Sequence, residues 1–391
     1  MAVPRSLIGQ TMQLFSSLSG ERPRLFFAPG RANLLGAHVD YNGGLVMPVA
    51  LSKGTCAAFA ARAGGLLRLR SSNFPDQPVD VPLAELRPGR TQGWSAYVEG
   101  ALWCSQRAWG PFPGLDVAVC ADLPMAKGLS SSASIEAVAV YAAAHLLGRA
   151  PDPDEMIRHA HEAENVYVGV RCGILDQAAI ILARENSLLY LDCLELTREH
   201  LPLDGARVRI GIIDSGVQRN LATSAFNQRV AECTRALAII QEQVPGITCL
   251  RDVHRSTYEA LQDLLPPVLQ RRVQHVIGET ERTQAGAAAL RRGDLAAFGQ
   301  LVSRTHLSLK ELYEVSTPEL DALALAAQAV PGCYGARLTG AGFGGCVVAL
   351  VQPGACDDFG RRVPAAYKEA TGRETEVMWF TPAGGPSEVA I

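Results

Sequence analysis

The 391-residue sequence lacks the features that mark several large functional classes. It has no cationic excess: 36 Lys plus Arg against 39 Asp plus Glu leave a formal charge of −3, and no basic stripe suits a nucleic-acid backbone. No apolar run is long enough to cross a bilayer. The purest one, residues 137–147, falls well short of the roughly 20 residues a spanning helix needs, and the first 15 residues lack the charged-then-apolar layout of a secretion signal. A cytoplasmic location is expected. The ten cysteines form no C-x-x-C pair and no metal-ligand spacing with histidine, so small thiols, mostly buried, in a reducing compartment are expected. Low-complexity tracts, internal repeats and long linkers are also missing. What is present, with 48% hydrophobic residues, suffices for two domains of ordinary size, each with its own core.

Strand-like and helical runs alternate, which indicates a mixed α/β architecture. Strands are expected at residues 25–27, 44–49, 55–60, 66–70, 115–121 and 187–192, and helices at 94–107, 134–147 and 153–168. A polar connection over 195–206 separates a first domain (1–205) from a second (206–391). The second domain is expected to carry a strand at 208–214 and helices at 220–243, 256–261, 266–292, 295–313 and 318–329. Its remaining strands are expected at 336–339, 346–350 and 376–380.

Four stretches concentrate the chemistry. Residues 28–48 read A-P-G-R-A-N-L-L-G-A-H-V-D-Y-N-G-G-L-V-M-P and place Arg31, His38 and Asp40 between two apolar runs. That density of polar groups suits a sugar-binding loop. Residues 123–134, L-P-M-A-K-G-L-S-S-S-A-S, run into an apolar helix. Glycine and serines at a helix start offer backbone N–H groups, hydroxyls and the positive end of the helix dipole to a polyphosphate; an ordinary serine N-cap is the alternative. Lys127 adds a cation beside the expected phosphates or is a solvated loop lysine. Residues 338–346, L-T-G-A-G-F-G-G-C, fit G-x-G-x-x-G, but they lead into a strand-like run instead of opening a helix after a first strand. A glycine-rich turn that lets backbone approach a ligand fits better. In R-C-G-I-L-D-Q, residues 171–177, an apolar approach ends on a single carboxylate, Asp176, which either caps the following helix or faces a reacting group.

Together these motifs resemble the signatures of galactokinases, within the GHMP family of small-molecule kinases, in order and in spacing. Further runs of similar kind, D-S-G-V at 214–217, L-R-D-V at 250–253 and H-V-I-G-E at 275–279, extend the resemblance over essentially the whole chain. It implies a ribosomal-protein-S5-like N-terminal domain, a ferredoxin-like C-terminal domain and an active site in the cleft between them. It also implies in-line transfer of the γ-phosphoryl group of ATP to the C1 hydroxyl of a hexose, where positioning and charge stabilisation do most of the work.

Residue by residue, the resemblance makes Asp176 the carboxylate facing the anomeric hydroxyl, with Arg31 beside it. His38, Asp40 and Gly173 fall on the sugar, and Lys127, Gly128, Ser130, Ser131, Ser132 and Ala133 on the phosphates. Ser132 and Glu164 fall on magnesium, which binds few protein oxygens and keeps water and phosphate as its other ligands. ATP and Mg²⁺ are the implied cofactors, a small sugar the only other partner. Two departures bear on the substrate. Galactokinases carry Gly-Glu-His where this chain has Gly36-Ala37-His38, and a tyrosine where it has Phe226. Loss of a carboxylate near C6 removes repulsion toward an acidic sugar, so D-galacturonate is expected slightly ahead of D-galactose, with L-arabinose well behind and Arg219 or Lys127 reading the acid. A non-catalytic, sugar-sensing relative is the alternative of another class; the intact serine run, Arg31 and Asp176 favour an enzyme.

Overall fold

The computed structural model describes residues 3–124, 127–170, 172–217 and 222–390. In chain order the elements of the first half are α1 (Arg5–Leu18), β1 (Arg24–Leu35), β2 (Leu45–Ala61), β3 (Leu66–Ser71), β4 (Val79–Pro82), α2 (Ser95–Trp109), β5 (Leu115–Ala121), α3 (Ser131–Leu146), α4 (Pro153–Glu162), α5 (Leu175–Ile181), β6 (Ser187–Asp192) and β7 (Arg198–Pro202). The second half follows with β8 (Arg209–Asp214), α6 (Ala222–Gln243), α7 (Arg255–Leu261), α8 (Pro267–Arg291), α9 (Leu295–Glu311), α10 (Pro318–Gln328), β9 (Cys333–Thr339), β10 (Cys346–Val351), α11 (Cys356–Thr371), β11 (Val377–Phe380) and β12 (Ser387–Val389).

Among the described residues the strands form two sheets. The larger runs β12-β1-β2-β5-β3-β4, with β6 pairing the start of β2 and β7 pairing β6; the smaller runs β11-β8-β10-β9. All pairings are antiparallel except β3 with β5. Strand alternation sorts the core. Phe26 and Ala28 of β1 face α2 and α3, whereas Leu25 and Phe27 face α1, where Leu7 and Phe15 complete a separate layer. Past Arg31, β1 packs against the second half: Ala32, Leu34 and Leu35 join Met47 and Val49 of β2, Ile210 and Ile212 of β8, Val348 of β10 and Phe298 of α9. This shared apolar layer fuses the halves.

Several elements differ from the sequence reading. The strand expected at 25–27 continues to Leu35 because two register shifts against β2, after Pro29 and after Asn33, let it bend without ending. Arg31 therefore stands on a strand and not in a loop. The expected strands 44–49 and 55–60 are one strand. The helix expected over 153–168 widens at Ala163 into a π-helical turn, Ala163–Val168, which carries Glu164. Within the polar connection, β7 forms a hairpin with β6, its turn held by Asp192 Oδ1 accepting from the Leu194 and Glu195 backbone N–H groups. Strand β12, from the far end of the chain, lies on β1 of the larger sheet. The ten cysteines form no disulfide, and half of them are buried.

Candidate active site

The two bends of β1 bring the Arg31 guanidinium against Asp176. Its Nη2 and Nε lie 2.5 and 2.7 Å from Asp176 Oδ1, and its Nη1 donates to the Gly128 carbonyl at 2.7 Å. Asp176 does not cap α5. The cap position is Ile174, without a side-chain bond, and the carboxylate turns instead to Arg31 and to the Ser130 hydroxyl, which donates to Oδ2 at 2.5 Å. A strand, a loop and a helix start thus converge on one carboxylate.

Residues 36–44 form the turn that leaves β1. His38 adopts φ +57°, a conformation costly for a residue with a side chain, and a short 3₁₀ turn, Asp40–Asn42, closes back through the Val39 carbonyl. Asp40 reaches toward the Asp176 segment at Gly173. A Cβ on Gly173 would lie 2.5 Å from Asp40 Oδ2, so only glycine admits the carboxylate there. Burial pushes the Asp40 carboxyl up to about 6, the nearby Asp176 carboxylate adds to the shift, and the Asp40 and Tyr41 N–H groups and Arg31 oppose it.

The His38 ring stands among aromatic residues from both halves: Tyr313 at 5.0 Å, Phe226 at 5.7 Å and Tyr41 at 6.1 Å between centroids. Tyr41 Oη sits 3.1 Å from His38 Nδ1 and 2.6 Å from Tyr313 Oη. Burial, with neighbouring His275 and Arg337, lowers His38 to about 3. The imidazole is neutral at physiological pH. Phe226 therefore does join His38 across the cleft, whereas Arg219 lies outside the described residues.

The serine run opens α3 at Ser131, with Ser130 in the left-handed region at φ +55° and making no side-chain cap bond. The simple N-cap alternative does not hold. Ser131, Ser132 and Ala133 occupy the first turn, whose N–H groups have no partner within the helix. Ala126 lies outside the described residues. Lys127 Nζ forms an ion pair with Asp214 at the end of β8 in the opposite half. Glu164, on the π-helical turn, is bonded by Gln177 Nε2 at 2.6 Å and Cys172 Sγ at 3.3 Å, and also by the Ser132 hydroxyl. Burial raises its carboxyl, and Asp176 raises it further. Gln177 Nε2 also reaches Glu136 Oε2 at 3.1 Å, and burial together with Glu164 lifts that carboxyl well above its usual range. The hydroxyl–carboxylate pair of Ser132 and Glu164 is chemically suited to magnesium. Among the described residues no three His, Cys, Asp or Glu side chains form a complete metal cluster.

The third glycine motif is the β9–β10 hairpin connection. The Phe343 N–H donates to Val315 O at 2.8 Å, and a Cβ on Gly342 would lie 2.3 Å from the same oxygen. Sequence reasoning missed Tyr313, Glu136 and Arg337, and saw Gln177 and Asp214 within their motifs without a role of their own. It saw the 250–253 and 275–279 runs without a use for them, yet both reach the sugar loop. Arg251 pairs with Asp192 at 2.5 Å and donates to the Gly43 carbonyl at 3.1 Å, and His275 and Glu279 meet residues 36 and 37. The i, i+4 spacing of His275 and Glu279 was the available signal.

Comparison with known proteins agrees with this geometry. Family models match for the galactokinase galactose-binding signature at residues 13–61, the GHMP kinases N terminal domain at 96–184 and the GHMP kinases C terminal domain at 287–369. A galactokinase of Roseiflexus sp. (strain RS-1) is 39% identical over 387 residues, 97% of each chain. A galactokinase of Homo sapiens is 39% identical over 372 residues, 92% of each chain. The crystal structure of Lactococcus lactis galactokinase complexed with galactose superimposes with a TM-score of 0.92 at 34% identity, covering 98% of this chain and all of that one. A mevalonate kinase structure, at 18% identity and a TM-score of 0.65, shares the fold. With a galactokinase signature on the sugar loop, both GHMP domain models in place and this likeness along nearly its whole length, the chain belongs to the GHMP kinase family as a galactokinase-like kinase.

Proposed function

We propose that the protein transfers the γ-phosphoryl group of ATP to the C1 hydroxyl of D-galactose. The observation that carries this reading is the joining of Asp176 to Arg31 and Asp40, two residues inside the segment that matches the galactose-binding signature. Asp176 accepts a hydrogen bond from the anomeric hydroxyl and orients its oxygen, receiving the proton as the new P–O bond to the sugar forms and the bond from the γ-phosphorus to the bridging oxygen breaks, releasing ADP. Arg31, fixed by Asp176 and the Gly128 carbonyl, places fixed positive charge beside the transferring group. Asp40 and the neutral His38 serve sugar hydroxyls, and Phe226 packs beside them. Residues 128–133 supply helix-start N–H groups for the phosphates. Ser132 and Glu164 would hold Mg²⁺, which when bound neutralises phosphate charge.

The expectation of galacturonate gives way to galactose. An acidic C6 needs a cation, but Lys127 is engaged by Asp214. Near Ala37, Arg282 is paired with Glu279 and Arg337 donates to the Asn33 carbonyl. The curated relatives carry the name galactokinase. A sugar panel of D-galactose, D-galacturonate and L-arabinose with ATP and Mg²⁺, read by ³¹P NMR for a sugar 1-phosphate, tests the reading. Galactose should give the highest kcat/KM, and a higher value for galacturonate would overturn it. A cytoplasmic setting fits an ATP-consuming enzyme; no helix among the described residues is long and apolar enough to span a membrane.

A further inference from the structure

We propose that His275 and Glu279 are positioning residues that hold the sugar loop from the opposite half of the molecule and thereby aim His38 and Asp40. Both lie on α8, one turn apart and on the same face, and both are fully buried. Glu279 Oε1 accepts from the Gly36 N–H at 2.8 Å and from the Ala37 N–H at 3.1 Å. His275 Nε2 lies 2.9 Å from the Ala37 carbonyl, and its Nδ1 lies 2.8 Å from Ser308 Oγ.

A carbonyl only accepts, so Nε2 carries the ring proton and Nδ1 accepts from the Ser308 hydroxyl. Burial lowers His275 to about 4, which keeps the ring in this neutral form. Glu279 is held in turn. Thr305 Oγ1 donates to it at 3.0 and 3.2 Å, Arg282 Nε donates at 2.8 Å, and the Arg282 guanidinium forms an ion pair with it. Burial pushes its carboxyl up, but Arg282, His275 and Arg337 outweigh that and leave it below the usual range. The Gly36 carbonyl, the remaining group of this stretch, accepts from Asn33 Nδ2 at 3.1 Å.

Every backbone polar group of residues 36 and 37 is thereby fixed, three of the four by one helix. The next residue, His38, sits in the left-handed region at φ +57°. Strained conformations of this kind persist at functional sites only where the surroundings over-determine them, and the clasp supplies that constraint. The same helix steers the His38 ring. Tyr313 lies 4.3 Å from His275 on one side and 5.0 Å from His38 on the other. The phosphate loop makes none of these contacts, so a loosened clasp should cost sugar recognition and spare ATP recognition.

The proposal rests on the reading of His38 and Asp40 as sugar-binding residues, and the experiment separates the two. Steady-state KM for galactose and for ATP are measured on the full-length enzyme and on Glu279→Gln, Thr305→Val, Ser308→Ala and Asp40→Asn, with thermal melting as the control for folding. Glu279→Gln should raise the galactose KM about tenfold or more, the scale expected when a binding group is displaced by a fraction of an ångström, with the ATP KM within about twofold. Thr305→Val and Ser308→Ala, which each remove one supporting hydroxyl, should shift the same parameter by a few fold. If Glu279→Gln does not fold, those two decide. A galactose-specific rise in them supports the clasp, whereas no change, or equal changes in both KM values, overturns it. A rise in galactose KM in Asp40→Asn alone, with the clasp variants silent, defeats the clasp and leaves the sugar loop standing. An unchanged galactose KM in Asp40→Asn defeats both.

Discussion

Asp40 makes sugar recognition depend on pH in a way that its geometry fixes in advance. Its carboxyl is lifted from the ordinary aspartate range to about 6 by burial and by the Asp176 carboxylate. As an acceptor for sugar hydroxyls it must be ionised. With a pKa of about 6 it is about 99% ionised at pH 8 and only about 10% at pH 5. kcat/KM for galactose, which reports the free enzyme, should therefore fall about tenfold from pH 8 to pH 5 through this group alone. Asp40→Asn should remove the break near 6 and hold kcat/KM at a low, flat level, because a charge-assisted hydrogen bond of about 1.5–3 kcal/mol, roughly tenfold to over a hundredfold, is lost. The same shift has a signature in stability. A carboxyl whose folded pKa is raised binds more protons in the folded state than in the unfolded one between about 4 and 6, so stability falls as pH rises through that window. Asp40→Asn should thus melt above wild type at pH 7.5, with the gain shrinking at pH 5. A kcat/KM profile that stays level from pH 5 to 8, or one whose break near 6 survives in Asp40→Asn, would refute the reasoning.

Other expectations follow from the same site. Asp176→Ala should abolish phosphoryl transfer while ATP binding, followed calorimetrically, stays nearly unchanged; Arg31→Lys should restore little of the rate lost in Arg31→Ala, since lysine keeps the charge but loses the fork that spans Asp176 and the Gly128 carbonyl. Ser132→Ala and Glu164→Gln should each raise the Mg²⁺ concentration needed for half-maximal rate, and an unchanged titration in both would place the metal elsewhere. Ala37→Glu should increase the preference for galactose over galacturonate by tenfold or more, about 1.4 kcal/mol, in paired kcat/KM measurements; a ranking that does not move would show that residue 37 does not face C6.

Much of this site is legible in the sequence because its parts are short and local. The serine run, the isolated Asp176 after Gly173, and Arg31 with His38 and Asp40 each carry their chemistry within a few residues. What is not legible is what crosses the chain. The partner of Lys127, Asp214, is supplied by a strand of the other half and cannot be read from the phosphate loop itself. Ser130 also turns its hydroxyl to Asp176, a contact that local rules cannot foresee. Helix α11 escaped because Pro364 interrupts its pattern, and β7 because its residues are mostly polar and exposed. The bends of β1 were invisible for a related reason: register shifts are set by the neighbouring strand, not by the residues that shift. Tyr313 reads as the end of an amphipathic helix, and only tertiary packing places it between two histidines.

Strand β12 gives the order of assembly a topological constraint. Its pairing of Leu25, Phe26 and Phe27 with Val389, Glu388 and Ser387 covers the outer edge of a sheet whose other strands are made much earlier on the ribosome. Until residues 387–389 emerge, the edge of β1 offers unpaired backbone N–H and C=O groups over a strongly apolar segment, the kind of edge that pairs with other chains. The first half can collapse early, but this edge of β1 is covered only once residues 387–389 have been synthesised. Termination anywhere between residues 209 and 386 thus leaves this edge of β1 uncovered.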